Sequence, residues 1–217
     1  MSSSPTADLR WEPLTPQGIL ELLSGASVRW WLSGGAALDR WLGQPIRERE
    51  NIDVSVVAGE LAALIASLPA GISAWVPSGD EEGIVRFADA PQNADLQPVL
   101  IRDDEKNVWL LQVNVEDGAP RAWVYKRDPR LQLPWERAVL DIDSIPTGAP
   151  EVQLVWKALR PRPEDHDDKD AVLPGLSPEA VTFVETALLR IHPHSTWAIH
   201  VRSPFAPAKA SWNRKRS

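Results

Sequence analysis

Residues 30–57, WWLSGGAALDRWLGQPIRERENIDVSVV, constrain the fold more than any other stretch of the chain. An apolar run predicts a strand from Val28 to Leu32, which Ser33-Gly34-Gly35 ends. Ala37, Leu38, Trp41 and Leu42 then share one face of a helix over 36–42, with Gly43 as its C-terminal stop. After a polar loop carrying Arg47 and Arg49, Ile52, Val54 and Val56 alternate with Asp53 and Ser55, the period of a half-buried strand. Strand, glycine pair and helix together bring backbone N–H groups and a helix N-terminus to one place where a phosphate could sit, although the same Gly-Gly also serves as a plain tight turn. Asn51 and Asp53, two residues apart on a strand, project from one face, as a pair ligating a hard cation would.

The surrounding pattern is mixed. Thr15-Pro16 gives an N-cap and first-turn proline for a helix that Gly25 stops. Glu60–Leu68 reads as another helix. From residue 72 the pattern turns to short strands: Ile72–Val76, Ile84–Phe87, Pro98–Ile101, Val108–Val115 and Ala122–Lys126. The polar turn Asp103–Asn107 joins two of them as a hairpin, and Pro129, Pro134 and Pro146 break up the next stretch of chain. Beyond Pro150 the pattern is helical, over about 150–160, 164–173, 178–191 and 195–201. This predicts a flexible N-terminus over 1–14, an α/β domain over 15–145, a helical domain over 146–202 and a basic, disordered tail over 203–217.

Composition removes several function classes. The 217 residues contain no cysteine, so a disulfide scaffold, a thiolate metal site and a cysteine nucleophile are all excluded. With 30 acidic and 23 basic side chains the formal charge is −7, which argues against a general nucleic-acid binder held by phosphate contacts. No apolar run is long enough to span a bilayer, and the first residues lack the basic start and apolar stretch of a secretory signal, so the expected location is the cytoplasm. His166, His192, His194 and His200 form no zinc pattern. The tryptophans Trp30, Trp31, Trp41, Trp109 and Trp156 fall mostly on core faces.

Gly-Gly-x-Ala-x-Asp at 34–39, the arginine-bearing loop after it and Asn51-Ile-Asp53-Val resemble the nucleotidyltransferases of the DNA polymerase β superfamily. More narrowly they resemble the branch that adenylylates aminoglycosides and lincosamides. WVYKRDPRLQLPW and APEVQLVWKALRPRPEDHDDKDAVLPGL, later in the chain, are similar to that branch in the same order, so the resemblance spans about residues 18–200. It implies an α+β fold, with a nucleotidyltransferase-type mixed sheet flanked by helices and a C-terminal helical domain. It also implies transfer of a nucleoside monophosphate from an NTP to an antibiotic-like hydroxyl, with Mg²⁺ as cofactor. Ser33, Gly34, Gly35, Arg47, Arg49 and Lys157 then stand where a nucleotide is held, and Asp53, Asn51 and Asn114 where a metal is.

The chain departs from the family pattern at the metal positions. The family loop reads Arg-x-His-x-Asp-x-Asp; here Arg49 replaces the histidine and Asn51 the first carboxylate. On the strand over 108–116, Asn114 best matches the third acid, with Glu116 one step along the same face as a candidate general base or a solvent-facing strand end. Asp39 reads as a structural residue that orients the 44–51 loop through Arg47 or Arg49. Asp165 and Asp168 read as structural partners of arginines such as Arg162. Three readings remain open: a nucleotidyltransferase with a degraded metal site, a catalytically inactive relative that binds a nucleotide or small ligand, or a structural or toxin–antitoxin partner. An amide is a neutral ligand, so fewer carboxylates mean weaker Mg²⁺ binding.

Overall fold

The structure, a computed structural model, describes residues 10–78, 83–90 and 97–202. In chain order the elements are α1 (Pro16–Leu22), β1 (Trp30–Ser33), α2 (Gly34–Leu42), β2 (Asp53–Val57), α3 (Leu61–Ala66), β3 (Ile72–Pro77), β4 (Ile84–Arg86), β5 (Val99–Asp103), β6 (Val108–Ala119), β7 (Ala122–Val124), β8 (Gln132–Pro134), α4 (Trp135–Ala138), β9 (Val139–Ile142), β10 (Ile145–Gly148), α5 (Pro150–Ala158), α6 (Pro163–Val172), α7 (Pro178–Arg190) and α8 (Thr196–Arg202). The fold is α+β, and beyond Pro150 all regular structure among the described residues is helical. The basic tail expected over 203–217, most of the expected lead-in and the side chain of His200 lie outside the described residues.

The chain forms two compact units. One draws on the chain as far as Leu32 and on Arg49–Gly118; the other draws on Ser33–Glu48 and the chain from Ala119 onward.

The first unit is built on a mixed sheet with strand order β4-β3-β5-β6-β2-β1. β3 pairs antiparallel with β4 and β5, β5 antiparallel with β6, and β2 parallel with β6. The expected hairpin is β5–β6, and β6 runs on to Ala119. Val54, Val56, Val76, Leu111 and Val113 are buried on these strands, and Leu61 and Leu64 on α3. Thr15 caps α1, its Oγ1 accepting the Gly18 N–H at 3.1 Å. Residues 10–14, part of the expected flexible lead-in, instead run beside β6: Glu12 N–H donates to Trp109 O and Leu14 N–H to Leu110 O, both at 3.0 Å. Five residues are too few for a readable alternation, so this pairing leaves no sequence signal.

The second unit packs α2, α5, α6, α7 and α8 around Leu38, Leu154, Ala158, Val172, Leu173, Val184, Leu188, Trp197 and Ala198. It also contains the antiparallel pairs β7–β8 and β9–β10. Asp143 and Ser144, at φ 47° and 64°, turn β9 into β10. Both residues are left-handed, the conformation of a two-residue hairpin turn that Asn-Gly usually signals, which is why this hairpin is silent in the sequence. Among the described residues no helix is long and apolar enough to cross a membrane.

Candidate functional site

In the first unit the site strand is β2 beside β6, and the ladder fixes which residues stand level. Asp53 pairs with Gln112, Ser55 with Asn114 and Val57 with Glu116. All six project from one face, because paired residues of neighbouring strands share a face and alternate residues repeat it. The residue level with Asp53 is therefore Gln112. Asn114, expected at that level, lies one repeat further along, about 7 Å, and Glu116 two repeats, about 13 Å. Glu116 is not a solvent-facing strand end: it is buried at 3% exposure.

Amides dominate around Asp53. Asn51 donates from Nδ2 to Asp53 Oδ1 at 3.3 Å, and Gln112 donates from Nε2 to Asn114 Oδ1 at 3.0 Å. Ser55 is fully buried on the same face, and its hydroxyl has no hydrogen-bond partner. Arg49 is half-buried two residues before Asn51. Within one repeat of Asp53 on this face the donor set is one carboxylate, the amides of Asn51, Gln112 and Asn114, and one hydroxyl. Among the described residues no three Asp, Glu or His side chains gather where they could hold a metal. When bound in a nucleotidyltransferase, Mg²⁺ neutralises the triphosphate and lowers the pKa of the attacking hydroxyl. A carboxylate cluster for that ion does not fit the residues present here.

In the second unit the turn into α2 has the shape expected of Ser33-Gly34-Gly35. Gly34 sits at φ 61°, the left-handed region that glycine enters without strain. Ser33 is the buried N-cap residue but does not cap the helix with its hydroxyl. The Gly34 N–H is already taken, donating to Gln153 Oε1 at 2.8 Å. Gln153, on α5, is 2% exposed, and its Nε2 has no hydrogen-bond partner. A phosphate at this turn has to share the Gly34 N–H with Gln153 or displace it. No spacing signal marked either Gln153 or Gln112; Gln153 stands inside the Pro-Glu-Val-Gln run that carries part of the family resemblance.

Asp39 holds the following loop at its backbone: its Oδ1 accepts the Ile46 N–H at 2.9 Å. Arg47 and Lys157 both reach α6. The acids of PEDHDDKDAV fall at helical spacing, so Asp165 and Asp168 share the buried face of that helix. Arg47 forks onto Asp168 through Nε and Nη2, both at 3.2 Å, and Lys157 Nζ lies 2.9 Å from Asp168 and 2.7 Å from Asp165. Arg162 joins from the helix start, its backbone N–H donating to Asp165 at 2.9 Å.

Burial alone would raise the Asp165 carboxyl, but hydrogen bonds from Arg162 and Lys157 outweigh it and hold it at about 2 against an ordinary 3.8. A carboxyl with a lower pKa in the folded state stabilises the fold above its unfolded pKa and loses that contribution as the pH falls. Thermal unfolding should therefore show stability falling between about pH 4 and pH 2. Asp165→Asn should be less stable at neutral pH and should lack that part of the acid dependence.

Residues 17–153 match a family model described as aminoglycoside-2''-adenylyltransferase. No curated protein sequence matches the chain. Among solved structures, the crystal structure of ANT(2'')-Ia in complex with adenylyl-2''-tobramycin is similar at 16% identity and a TM-score of 0.51, covering 81% of this chain and 97% of that one. An antigenic nucleotidyltransferase-like protein from Paracoccidioides brasiliensis is 17% identical over 90% of this chain and 88% of its own, with a TM-score of 0.44. The first likeness supports the fold. The family match runs through both the Ser-Gly-Gly turn and the Asp53 strand and covers more than half of the chain, and the chain accordingly belongs to the aminoglycoside-2''-adenylyltransferase family.

Proposed function

We propose that this protein binds a nucleoside triphosphate and an aminoglycoside-like small molecule, and that nucleotidyl transfer between them is strongly attenuated. Family membership supports both ligands, as does the bound adenylyl-2''-tobramycin of the similar ANT(2'')-Ia structure. The observation that carries the attenuation is that Asp53 stands among Asn51, Gln112 and Asn114 on its face of the β2–β6 pair. A single carboxylate cannot both anchor a cation and accept the proton of an attacking hydroxyl. Loss of a positioned general base alone costs about 10²–10⁴-fold in rate. Ser33, Gly34, Gly35, Arg47, Arg49 and Lys157 are the proposed nucleotide contacts. Asp53, Asn51 and Asn114 are the proposed ligands of a weakly held Mg²⁺, with Gln112 added by the ladder; Glu116 is the proposed base, but at about 13 Å along the face it stands beyond the hydrogen-bond reach that efficient proton transfer from a hydroxyl held at Asp53 needs. The proposed compartment is the cytoplasm, where NTPs are abundant.

Calorimetry with ATP and with tobramycin, followed by a transfer assay using labelled ATP and tobramycin, tests this. Saturable binding of both with transfer at the limit of detection is expected. Failure of either ligand to bind sinks the binding half of the reading; rapid, stoichiometric adenylylation sinks the attenuation.

A further inference from the structure

The second unit carries a basic concavity that neither the Asp53 strand nor the Ser-Gly-Gly turn uses. After β7 the chain runs Tyr125-Lys126-Arg127-Asp128-Pro129-Arg130, and the end of α7 brings Arg190 and Ile191 to the same place. Arg127, Asp128, Pro129, Arg130, Arg190 and Ile191 line a cavity of about 570 Å³. Three guanidiniums thus share one small surface with a single carboxylate, on a chain whose net charge is −7.

That carboxylate is fully engaged. Asp128 receives Arg130 as a fork, Nε on Oδ1 and Nη2 on Oδ2, both at 2.8 Å, and also accepts the Arg130 backbone N–H at 3.0 Å. Arg190 Nε lies 3.6 Å from Asp128 Oδ2. The Arg130 hydrogen bonds hold the Asp128 carboxyl at about 2, so it is ionised at neutral pH. One negative charge against three positive leaves the cavity with two uncompensated charges.

The loop is stiff. Asp128 N–H donates to Tyr125 O at 3.1 Å, Leu131 N–H to Asp128 O at 2.9 Å, and Tyr125 N–H to Leu131 O at 2.9 Å. Behind it the Tyr125 hydroxyl and His192 Nε2 are hydrogen-bonded at 2.8 Å, and the Tyr125 ring packs edge-on against Trp156 at 4.6 Å. Both Tyr125 and His192 are buried. Burial first, and the charge of Arg127 second, push the His192 pKa down, so the ring adds no charge of its own at neutral pH. Exposed surface ion pairs are worth little, and cations gathered on a fixed loop repel one another. The arrangement becomes favourable once an anion enters it.

We propose that this cavity binds a phosphorylated small molecule. Arg127 and Arg190 take the phosphoryl oxygens in the bidentate geometry that guanidinium and phosphate share, and Asp128 fixes Arg130 beside them. Pro129 and Ile191 give the organic part of the ligand an apolar wall. The phosphoryl group belongs either to the NTP of the proposed reaction or to a separate phosphorylated ligand, and the test separates the two.

The full chain would be titrated with inorganic phosphate, pyrophosphate and ATP by calorimetry, with the His192 ring resonances followed by NMR. Saturable binding is expected, tighter for pyrophosphate than for phosphate. The His192 resonances should shift as the charge on Arg127 is neutralised. Arg127→Ala and Arg190→Ala should each weaken pyrophosphate about tenfold or more, the usual effect of removing a charged hydrogen-bond donor. Arg160→Ala, an exposed arginine outside the cavity, is the control. If ATP weakens in step with pyrophosphate, the cavity serves the NTP; if ATP is retained while pyrophosphate is lost, it serves a separate ligand. Either result supports the site. The proposal is overturned if pyrophosphate does not bind, or binds the parent, Arg127→Ala and Arg160→Ala equally. ATP that still binds in that case would remove this cavity while leaving the proposed nucleotide contacts of the Ser-Gly-Gly turn standing.

Discussion

Asp168→Ala should lower stability by about 3–5 kcal/mol, the range for removing one partner of a buried ion pair. The side chain of Asp168 is fully buried, with the Arg47 fork on both oxygens and Lys157 at 2.9 Å. Truncation leaves a buried cavity and strips Arg47 of that partner, while Lys157 retains Asp165. Arg162→Ala touches the same network from an exposed position and should cost about 1 kcal/mol or less. Urea unfolding of the three proteins decides the matter. Asp168→Ala within about 1 kcal/mol of the parent would mean that the network contributes little to the fold. Arg47→Ala adds a further distinction, since it should weaken ATP binding only if Arg47 also contacts the nucleotide.

Asn51→Asp combined with Gln112→Asp should make stability depend on Mg²⁺, because those substitutions put one carboxylate level with Asp53 on β6 and another at Asn51, whose side chain already touches Asp53. Without metal, three clustered carboxylates repel and raise one another's pKa, so the variant should melt below the parent in chelator. With Mg²⁺ at 100 times its Kd, binding returns about 2.7 kcal/mol. For a chain of this size that corresponds to a rise of about 5–10 °C in Tm. The parent should respond far less. Asn51→Asp with Asn114→Asp places the second carboxylate one repeat away and should respond more weakly than the Gln112 pair. Equal melting of the Gln112 pair with and without Mg²⁺ would show that this face does not surround a cation.

Much of this architecture is written in short-range pattern. Thr15, Gly43 and the prolines at 150, 163 and 178 mark helix ends, and the alternation around Asp53 gives its strand. The register between strands is not written there. Gln112, Asn114 and Glu116 repeat the same face every second residue, so the alternation of β6 is equally consistent with any of them beside Asp53; only the ladder chooses Gln112. The role of Gln153 is hidden for a related reason. It acts across 119 positions of sequence on the Gly34 N–H, and one more polar residue on a helix that already carries Glu151 and Lys157 announces no partner. β9 and β10 escape because their turn uses Asp143-Ser144. Asp165 and Asp168 are legible as structural acids, but their main cation, Lys157, reads from sequence as a nucleotide contact.

The most direct test of attenuation at Asp53 is a comparison of nucleotidyl-transfer rates in the parent and in the Asn51→Asp/Gln112→Asp variant. Both would be assayed with saturating ATP, tobramycin and Mg²⁺. Transfer by the variant should exceed that of the parent by about 10²-fold or more, the lower bound for restoring a positioned base, and adding Asp53→Ala should abolish the gain. A parent that already transfers at the variant's rate, or that keeps its rate when Asp53 is replaced by alanine, would contradict attenuation at this site.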